Sequence, residues 1–159
     1  MAKNGISNWA ALGIAIVVVL AAVGGYHVID LRNDLKDALQ SEYAAIELYT
    51  ELGSQKGIFS QKNSAYAEIA KDEQDHVIKL EKYVSAEGAN NTYEVSSEGA
   101  IQSEKDAIAQ YQDLLNRIYL HRGLKEDLQH ILEDEKAHLD ILQLFQAGPV
   151  DKLSGILRG

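Results

Sequence analysis

The sequence predicts an all-α protein, and three observations lead to that fold class. Only one proline occurs in 159 residues, and proline is the residue that most strongly disrupts helix interiors. From Leu31 onward, apolar residues recur at spacings of three and four, the periodicity of amphipathic helices. The second half of the chain also repeats the first without a gap, and the repeated unit is a helical hairpin. Two such hairpins predict a four-helix bundle over 31–147.

The composition excludes several classes of partner and of metal site. The chain carries 24 acidic and 15 basic residues, for a formal net charge of −9. Because binding to nucleic acid needs clustered Lys and Arg, no nucleic-acid partner is expected. The chain has no cysteine, which excludes disulfides, thiolate zinc sites, cysteine-ligated iron–sulfur clusters and a cysteine nucleophile. Any bound metal must therefore be held by oxygen and imidazole ligands.

The first element, residues 1–30, is predicted to be a transmembrane anchor helix. Residues 9–26 are nearly all apolar, and Trp9 and Tyr26 stand at the two ends, where amphipathic rings favour the headgroup region. These 18 residues would span roughly 27 Å as a helix, close to the thickness of a hydrocarbon core. We therefore expect a single-pass membrane protein that contacts the bilayer through 9–26, with the side of the bundle undetermined. The alternatives are a signal peptide with a cleavage site at Ala22-Val23-Gly24, and a buried assembly helix.

Four amphipathic helices are predicted in the rest of the chain. They are expected at about 31–52, 60–86, 97–120 and 124–147, followed by a tail over 148–159. The segment 87–97 separates the second helix from the third and reads as extended. Its 11 residues could reach about 36 Å, enough to traverse a bundle. If the segment did not traverse the bundle, the two hairpins would have to pair between two chains.

The repeat has an offset of 62 residues, and its polar members are of the type that binds metal. In each half, one Glu of the first helix and Asp-Glu-x-x-His of the second helix are repeated. The repeated pairs are Glu42 and Glu104, Tyr49 and Tyr111, Asp72 and Asp134, Glu73 and Glu135, and His76 and His138. One Glu-x-x-His pair would be weak evidence, but two of them, each 31 residues after a repeated Glu, are hard to reach by chance.

The spacing predicts that these residues meet in the middle of the bundle. In each half, the midpoint between the repeated Glu of the first helix and the Glu of Glu-x-x-His falls close to the glycine between the two helices, Gly57 or Gly123. Residues three apart share a helix face. Four buried carboxylates would repel one another without a counter-charge, and a pair of cations removes that cost. Oxygen and imidazole ligands suit two iron ions, with manganese as the alternative.

Each member of the set has an expected role in this di-iron centre, which would be the catalytic unit. The expected metal ligands are Glu42 and Glu104 as terminal ligands, Glu73 and Glu135 as bridges, and His76 and His138 as one cap for each metal. Asp72 and Asp134 are expected to accept the other N–H of the ligand imidazoles. Tyr49 and Tyr111 are expected to hydrogen-bond ligand carboxylates or to carry an electron. His27 is assigned to the membrane interface, His121 to a helix end, and His130 to a structural role.

The pattern resembles the ferritin-like di-iron carboxylate superfamily. Residues 131–138, Ile-Leu-Glu-Asp-Glu-Lys-Ala-His, are similar to the last-helix motif of bacterioferritins, and 41–49, Ser-Glu-Tyr-Ala-Ala-Ile-Glu-Leu-Tyr, resemble rubrerythrins. The resemblance covers 31–147. It implies a ferritin-like four-helix bundle that oxidises Fe(II) with O2 or peroxide at a bridged di-iron centre, and we expect a homo-oligomer. Gln74 stands where bacterioferritins use Met for haem, so no haem is expected. Ala107 stands where rubrerythrins place an extra Glu, which weakens a peroxidase interpretation.

The leading hypothesis is therefore a membrane-anchored di-iron oxidase or ferroxidase, and two alternatives remain open. Demethoxyubiquinone hydroxylases have Glu-x-x-Ala-Ile-x-x-Tyr on two helices, which 42–49 and 104–111 resemble, so a quinone or lipid hydroxylase is the second hypothesis. The third is a structural or assembly subunit whose bundle is held together by the metal. The tail 151–159 is also similar to the short peptides that load cargo into encapsulin shells, which makes such a shell a weaker candidate partner.

Overall fold

The computed structural model describes residues 8–55, 60–89, 92–119 and 121–147, with side chains described in 29–55, 62–89, 92–119 and 121–147. The helices are α1 (Asn8–Ser54), α2 (Ser60–Leu80), α3 (Ser97–Arg117) and α4 (Arg122–Gln146). The predicted all-α four-helix bundle is confirmed. The tail 148–159, and with it the resemblance to encapsulin cargo peptides, lies outside the described residues.

The two hairpins pack against each other in an antiparallel arrangement. Helices α1 and α2 pack together, as do α3 and α4, and the hairpins meet through α1 with α3 and α2 with α4. The hydroxyl of Tyr49 contacts Glu104, whereas Glu42, earlier on α1, contacts Tyr111, later on α3. Position along α1 therefore rises as position along α3 falls, so these two helices are antiparallel. The repeat thus has an approximate two-fold axis across the bundle.

The crossover between the hairpins is longer than predicted because α2 ends early. The helix ends at Leu80 rather than near residue 86, and the amides of Tyr83 and Val84 donate to the Leu80 carbonyl at 2.9 and 3.1 Å. This turn carries Val84 into the core, where it is buried. At the other end of the bundle, the Tyr66 hydroxyl lies 3.5 Å from Ser97 Oγ at the start of α3. The crossover therefore spans the bundle, and both hairpins come from one chain.

Apolar packing lies on both sides of a polar middle layer. One buried cluster contains Leu39, Leu80, Tyr111, Leu128 and Ile131 among others, and the second contains Tyr49, Leu52, Ile69, Ile101 and Leu142 among others. On each helix, the buried glutamate stands between residues of the two clusters. Burying each large aliphatic side chain contributes about 1.5–3 kcal/mol. The two clusters therefore supply the stability that holds the polar layer in place.

The expected membrane localisation is corrected by the structure. In the part of the chain that the structure describes, no helix is both long enough and apolar enough to cross a membrane. From Ile29 onward α1 carries charges at Asp30, Arg32 and Asp34, and charged side chains are costly in a hydrocarbon core. The side chains of 9–26, on which the anchor and the contact with a bilayer were predicted, lie outside the described residues, as does that of His27.

We predict that Gly99 and Gly123 respond oppositely to alanine. A Cβ on Gly99 would lie 1.9 Å from the Glu94 carbonyl oxygen, a backbone atom, whereas the nearest neighbour of a Cβ on Gly123 is the Tyr83 hydroxyl at 3.6 Å. Gly99→Ala should lower the free energy of unfolding by about 1–3 kcal/mol because the start of α3 must shift. Gly123→Ala should leave it unchanged or raise it by up to ~1 kcal/mol, since alanine favours helix.

Urea denaturation followed by far-UV circular dichroism measures both variants. Equal stability of Gly99→Ala and the unmodified protein would contradict the close approach of the crossover to α3.

Candidate metal centre

Each of the four helices contributes one glutamate to the polar layer, and α2 and α4 each add a histidine one turn later. The six residues are Glu42 on α1, Glu73 and His76 on α2, Glu104 on α3, and Glu135 and His138 on α4. None of them is more than 3% exposed. Carboxylates are rarely buried to this extent unless they are paired or bind a cation.

His76 joins three carboxylates from three different helices. Its Nδ1 lies 3.0 Å from Glu73 Oε2, 3.3 Å from Glu42 Oε2 and 3.3 Å from Glu135 Oε1. One ligand atom from each of these four residues lies within 4.8 Å of the others. The four side chains could therefore hold one metal ion.

His138 stands at the centre of the matching group from the other half. Its Nδ1 lies 3.5 Å from Glu73 Oε1 and 3.7 Å from both Glu104 Oε2 and Glu135 Oε2. These four residues form a second group that could hold a metal ion. Both groups include Glu73 and Glu135, so the two candidate positions share two carboxylates.

The electrostatics of the cluster indicate an excess of negative charge. Burial, together with the charge of Glu42, raises the pKa of Glu73 to about 8. Burial and neighbouring carboxylates also raise the pKa of Glu104 and of Glu135. Burial opposes a charge on His138, yet the glutamates around its ring raise its pKa to about 12. Each shift favours added positive charge, which protons or metal cations can supply.

Several buried polar atoms of the cluster contact another member of it at 3.3–3.7 Å but make no hydrogen bond of good geometry. They are Glu73 Oε1, Glu104 Oε2, Glu135 Oε1 and His138 Nδ1. A buried polar atom without a partner costs about 1–3 kcal/mol, and more when the group is charged. Coordination to a cation satisfies such atoms, and oxygen with imidazole suits iron or manganese. The residues present therefore fit a pair of these ions.

The aspartates predicted to support the imidazoles lie beside them, each across the two-fold axis from its own hairpin. Asp134 Oδ2 lies 3.2 Å from His76 Nε2, and Asp72 Oδ2 lies 3.4 Å from His138 Nε2. Each aspartate thus contacts the histidine of the opposite hairpin. Burial raises the pKa of Asp134, but its contacts with His76 and His130 hold the value below the usual range. With Nε2 engaged in this way, each Nδ1 faces the carboxylates.

The two tyrosines follow the same crosswise pattern. The Tyr49 hydroxyl donates to Glu104 Oε1, and the Tyr111 hydroxyl donates to Glu42 Oε1. Both rings are fully buried. Burial and the nearby carboxylates raise the pKa of both hydroxyls, which keeps them protonated as donors. Each tyrosine therefore fixes the orientation of the glutamate on the first helix of the other half.

Two contributions to the site were missed by sequence reasoning. His130, taken as structural, places Nδ1 2.8 Å from Asp134 Oδ2. Its spacing of four residues from Asp134 on one helix was the available signal. His121 does lie at a helix end as predicted, since its Nδ1 accepts from the amide of Leu124 at the start of α4. The second omission is Tyr93, which borders a small cavity beside the glutamates, and no motif or repeat pointed to it.

Comparisons with known proteins agree with this geometry at the level of the fold. No family model matches the sequence, and no curated protein does. Among solved structures, the chain is similar to a dodecameric thioferritin, the bacterioferritin-related protein from Bacteroides fragilis. The two share 21% identity over 82% of this chain and 88% of that one, with a TM-score of 0.63.

A second similar structure is that of ferritin-like, diiron-carboxylate proteins from Bacillus anthracis. It has 24% identity, covers 75% of this chain and 96% of that one, and has a TM-score of 0.64. Both likenesses support a ferritin-like four-helix bundle.

We predict that metal binding stabilises the fold and that Glu135 is needed for it. Manganese or anaerobic Fe(II) should raise the melting temperature of the unmodified protein. At a free metal concentration a hundredfold above Kd, the free energy of unfolding should rise by about 2.7 kcal/mol. Glu135→Ala should abolish the rise because Glu135 belongs to both candidate groups.

Glu133→Ala is the matched control, since Glu133 lies two residues away on α4 and is exposed. Differential scanning calorimetry with and without metal measures the shift. An equal rise in the Glu135→Ala variant would contradict a metal site in the polar layer.

Proposed function

We propose that this protein is a di-iron carboxylate oxidase that binds Fe(II) and oxidises it with O2 or peroxide. The observation that carries the proposal is the pair of buried four-residue groups that share Glu73 and Glu135. Two cation positions that share carboxylates suit a reaction in which two metal ions each give up one electron. The ferritin-like fold of the similar structures supports the same chemistry.

The proposed ligand roles follow from which carboxylates each histidine faces. Glu42 and His76 would hold one iron, and Glu104 and His138 the other. Glu73 and Glu135, which belong to both groups, would bridge the two ions. Terminal and bridging carboxylates stabilise Fe(III) more than Fe(II), because attraction to a fixed negative charge grows with the charge of the ion.

The overall reaction balances without a further reductant. Two Fe(II) each lose one electron to O2, which takes up two protons and leaves as hydrogen peroxide, with two Fe(III) as the other product. Bound iron supplies the electrons and the position at which the oxidant is reduced. The chain holds the two ions side by side, excludes bulk water from the polar layer, and keeps the terminal glutamates oriented through Tyr49 and Tyr111.

The described cavities favour a small oxidant over a quinone or lipid substrate. The cavity beside the four glutamates has a volume of about 10 Å³. Pockets for ligands of drug size occupy about 300–1,000 Å³. A groove of about 460 Å³ does exist, but it is lined by polar residues such as Asn33, Lys36 and Asp37, and the four buried glutamates are not part of its lining. The described cavity next to the candidate centre is therefore too small for the substrate of the hydroxylase hypothesis.

We also propose that the protein is a homo-oligomer. One of the structures with a similar fold is described as dodecameric. Sedimentation velocity on the purified chain would test this, with a monomer as the contradicting result.

The proposed activity predicts a specific dependence on the shared glutamates. In stopped-flow mixing of the anaerobic Fe(II)-loaded protein with O2, Glu73→Ala and Glu135→Ala should slow oxidation by at least about 100-fold, the upper end for loss of groups that only orient ligands. Glu47→Ala and Glu133→Ala, at exposed positions of α1 and α4, should leave the rate unchanged.

Appearance of Fe(III) absorbance at the unmodified rate in Glu73→Ala would contradict the proposal. If metal stabilised the unmodified protein but no oxidation occurred, the bundle would instead be a structural subunit held together by metal.

A further inference from the structure

The candidate centre is filled on one side and leaves a cavity on the other. Towards α2 and α4, the two imidazoles and their partners Asp72 and Asp134 occupy the space. The cavity of about 10 Å³ is bordered instead by residues of α1 and α3, by the four glutamates and by Tyr93. A small molecule that reaches the glutamates through this cavity would therefore pass between α1 and α3.

Small side chains make the passage between these two helices. Besides the glutamates, α1 contributes Ser41 and Ala45 to the lining, and α3 contributes Ser103 and Ala107. These residues are repeat partners at the offset of 62, so the side chains that α1 and α3 contribute to the two walls are equally small. Ala45 and Ser103 are buried, whereas Ser41 and Ala107 are partly exposed. The passage therefore runs from the surface inward.

The inner end of the passage has carboxylate oxygens that make no hydrogen bond. Glu73 and Glu104 line the cavity, and Glu73 Oε1 and Glu104 Oε2 are buried without a hydrogen bond. The cavity thus leads to the carboxylate oxygens that the proposed metal ions would bind, and not to polar atoms that already make hydrogen bonds.

Tyr93 is the bulky side chain of the lining that is not a glutamate. It comes from the crossover between α2 and α3, is partly buried, and packs against the apolar cluster that contains Tyr49. Tyr93 and Ser103 line the same cavity. Because the crossover occurs once, Tyr93 has no partner in the repeat. The partly exposed tyrosine therefore stands at the outer end of a passage whose other walls are small.

The size of the cavity restricts what can reach the glutamates while Tyr93 is in place. A cavity needs roughly 10–15 Å³ in this measure to hold one water molecule, and the value here is about 10 Å³. Dioxygen and hydrogen peroxide have two heavy atoms and require only a small displacement of the walls. A hydroperoxide that carries an aromatic ring requires removal of the Tyr93 ring.

We propose that Tyr93 sets the size limit of the oxidant, admitting O2 and hydrogen peroxide to the glutamates and excluding organic hydroperoxides. The proposal rests on the proposed Fe(II) oxidation. With a hydroperoxide ROOH, the O–O bond breaks, two Fe(II) supply two electrons, and two protons are taken up to give ROH and water. Tyr93 takes no part in this step. It only determines which oxidants are small enough to reach the glutamates.

The first test compares hydrogen peroxide with cumene hydroperoxide as oxidants of the Fe(II)-loaded protein by stopped-flow absorbance. Steric discrimination by a pocket is worth about 10–200-fold. Tyr93→Ala should therefore raise the rate with cumene hydroperoxide, relative to that with hydrogen peroxide, by at least about tenfold. Tyr93→Phe, which keeps the ring, should retain the exclusion. Tyr119→Ala, at a tyrosine that is 82% exposed, should not change the ratio.

A second test does not depend on oxidation. Co(II)-loaded protein is titrated with azide and with benzoate, two monoanions of different size, and the visible spectrum of Co(II) reports binding. Azide should perturb the spectrum of the unmodified protein and benzoate should not, whereas both should perturb that of Tyr93→Ala. Should that variant fail to fold, Ala107→Leu narrows the same passage and should slow azide binding by about tenfold.

The outcomes separate the two proposals. Size selection in the Co(II) protein without any Fe(II) oxidation would overturn the proposed function and support the role of Tyr93. An unchanged ratio of oxidants in Tyr93→Ala, or an unchanged rate of azide binding in Ala107→Leu, would overturn the role of Tyr93. Failure of both Fe(II) and Co(II) to bind would overturn both proposals.

Discussion

The burial of four carboxylates in one layer is the constraint on which the rest of the structure depends. Moving one carboxylate out of water costs several kcal/mol even after relaxation, and like charges at this distance add to the cost. The two imidazoles offset part of it, and the raised pKa of Glu73, Glu104 and Glu135 indicates that the compensation is incomplete. Apolar clusters on both sides keep the layer together. A fold that holds four carboxylates in one buried layer therefore favours the binding of cations there.

The two-fold repeat explains how the layer is held in register. Tyr49 contacts a glutamate of the second half, and Tyr111 contacts one of the first. Asp72 and Asp134 contact the histidines in the same crosswise manner. Each hairpin therefore supplies the groups that orient the proposed ligands of the other. The two halves must dock in one register for either half to be complete, which couples the assembly of the bundle to the geometry of its centre.

The sequence predicted the fold and the meeting of the six polar residues because both depend on periodicity. The fold and the polar layer could be predicted from sequence separations alone. These are the helical spacing of apolar residues, the gapless repeat and the number of residues between Glu42 and Glu73. Features without periodicity were missed or wrong. The early end of α2 depends on burial of Val84 by tertiary packing, and Tyr93 lies in a crossover with no repeat partner. The membrane prediction depended on the hydropathy and length of 9–26 and on its terminal aromatic rings, and among the described residues no helix is long and apolar enough to cross a membrane.

X-ray absorption spectroscopy of the anaerobically loaded protein, together with iron analysis, tests the central claim most directly. The sharing of Glu73 and Glu135 predicts two irons per chain, with an iron–iron scattering distance of about 3.5–4 Å. The spectrum should also contain light-atom ligands of the oxygen and nitrogen type. One iron per chain, or two irons without mutual scattering, would contradict a shared-carboxylate di-iron centre in this bundle.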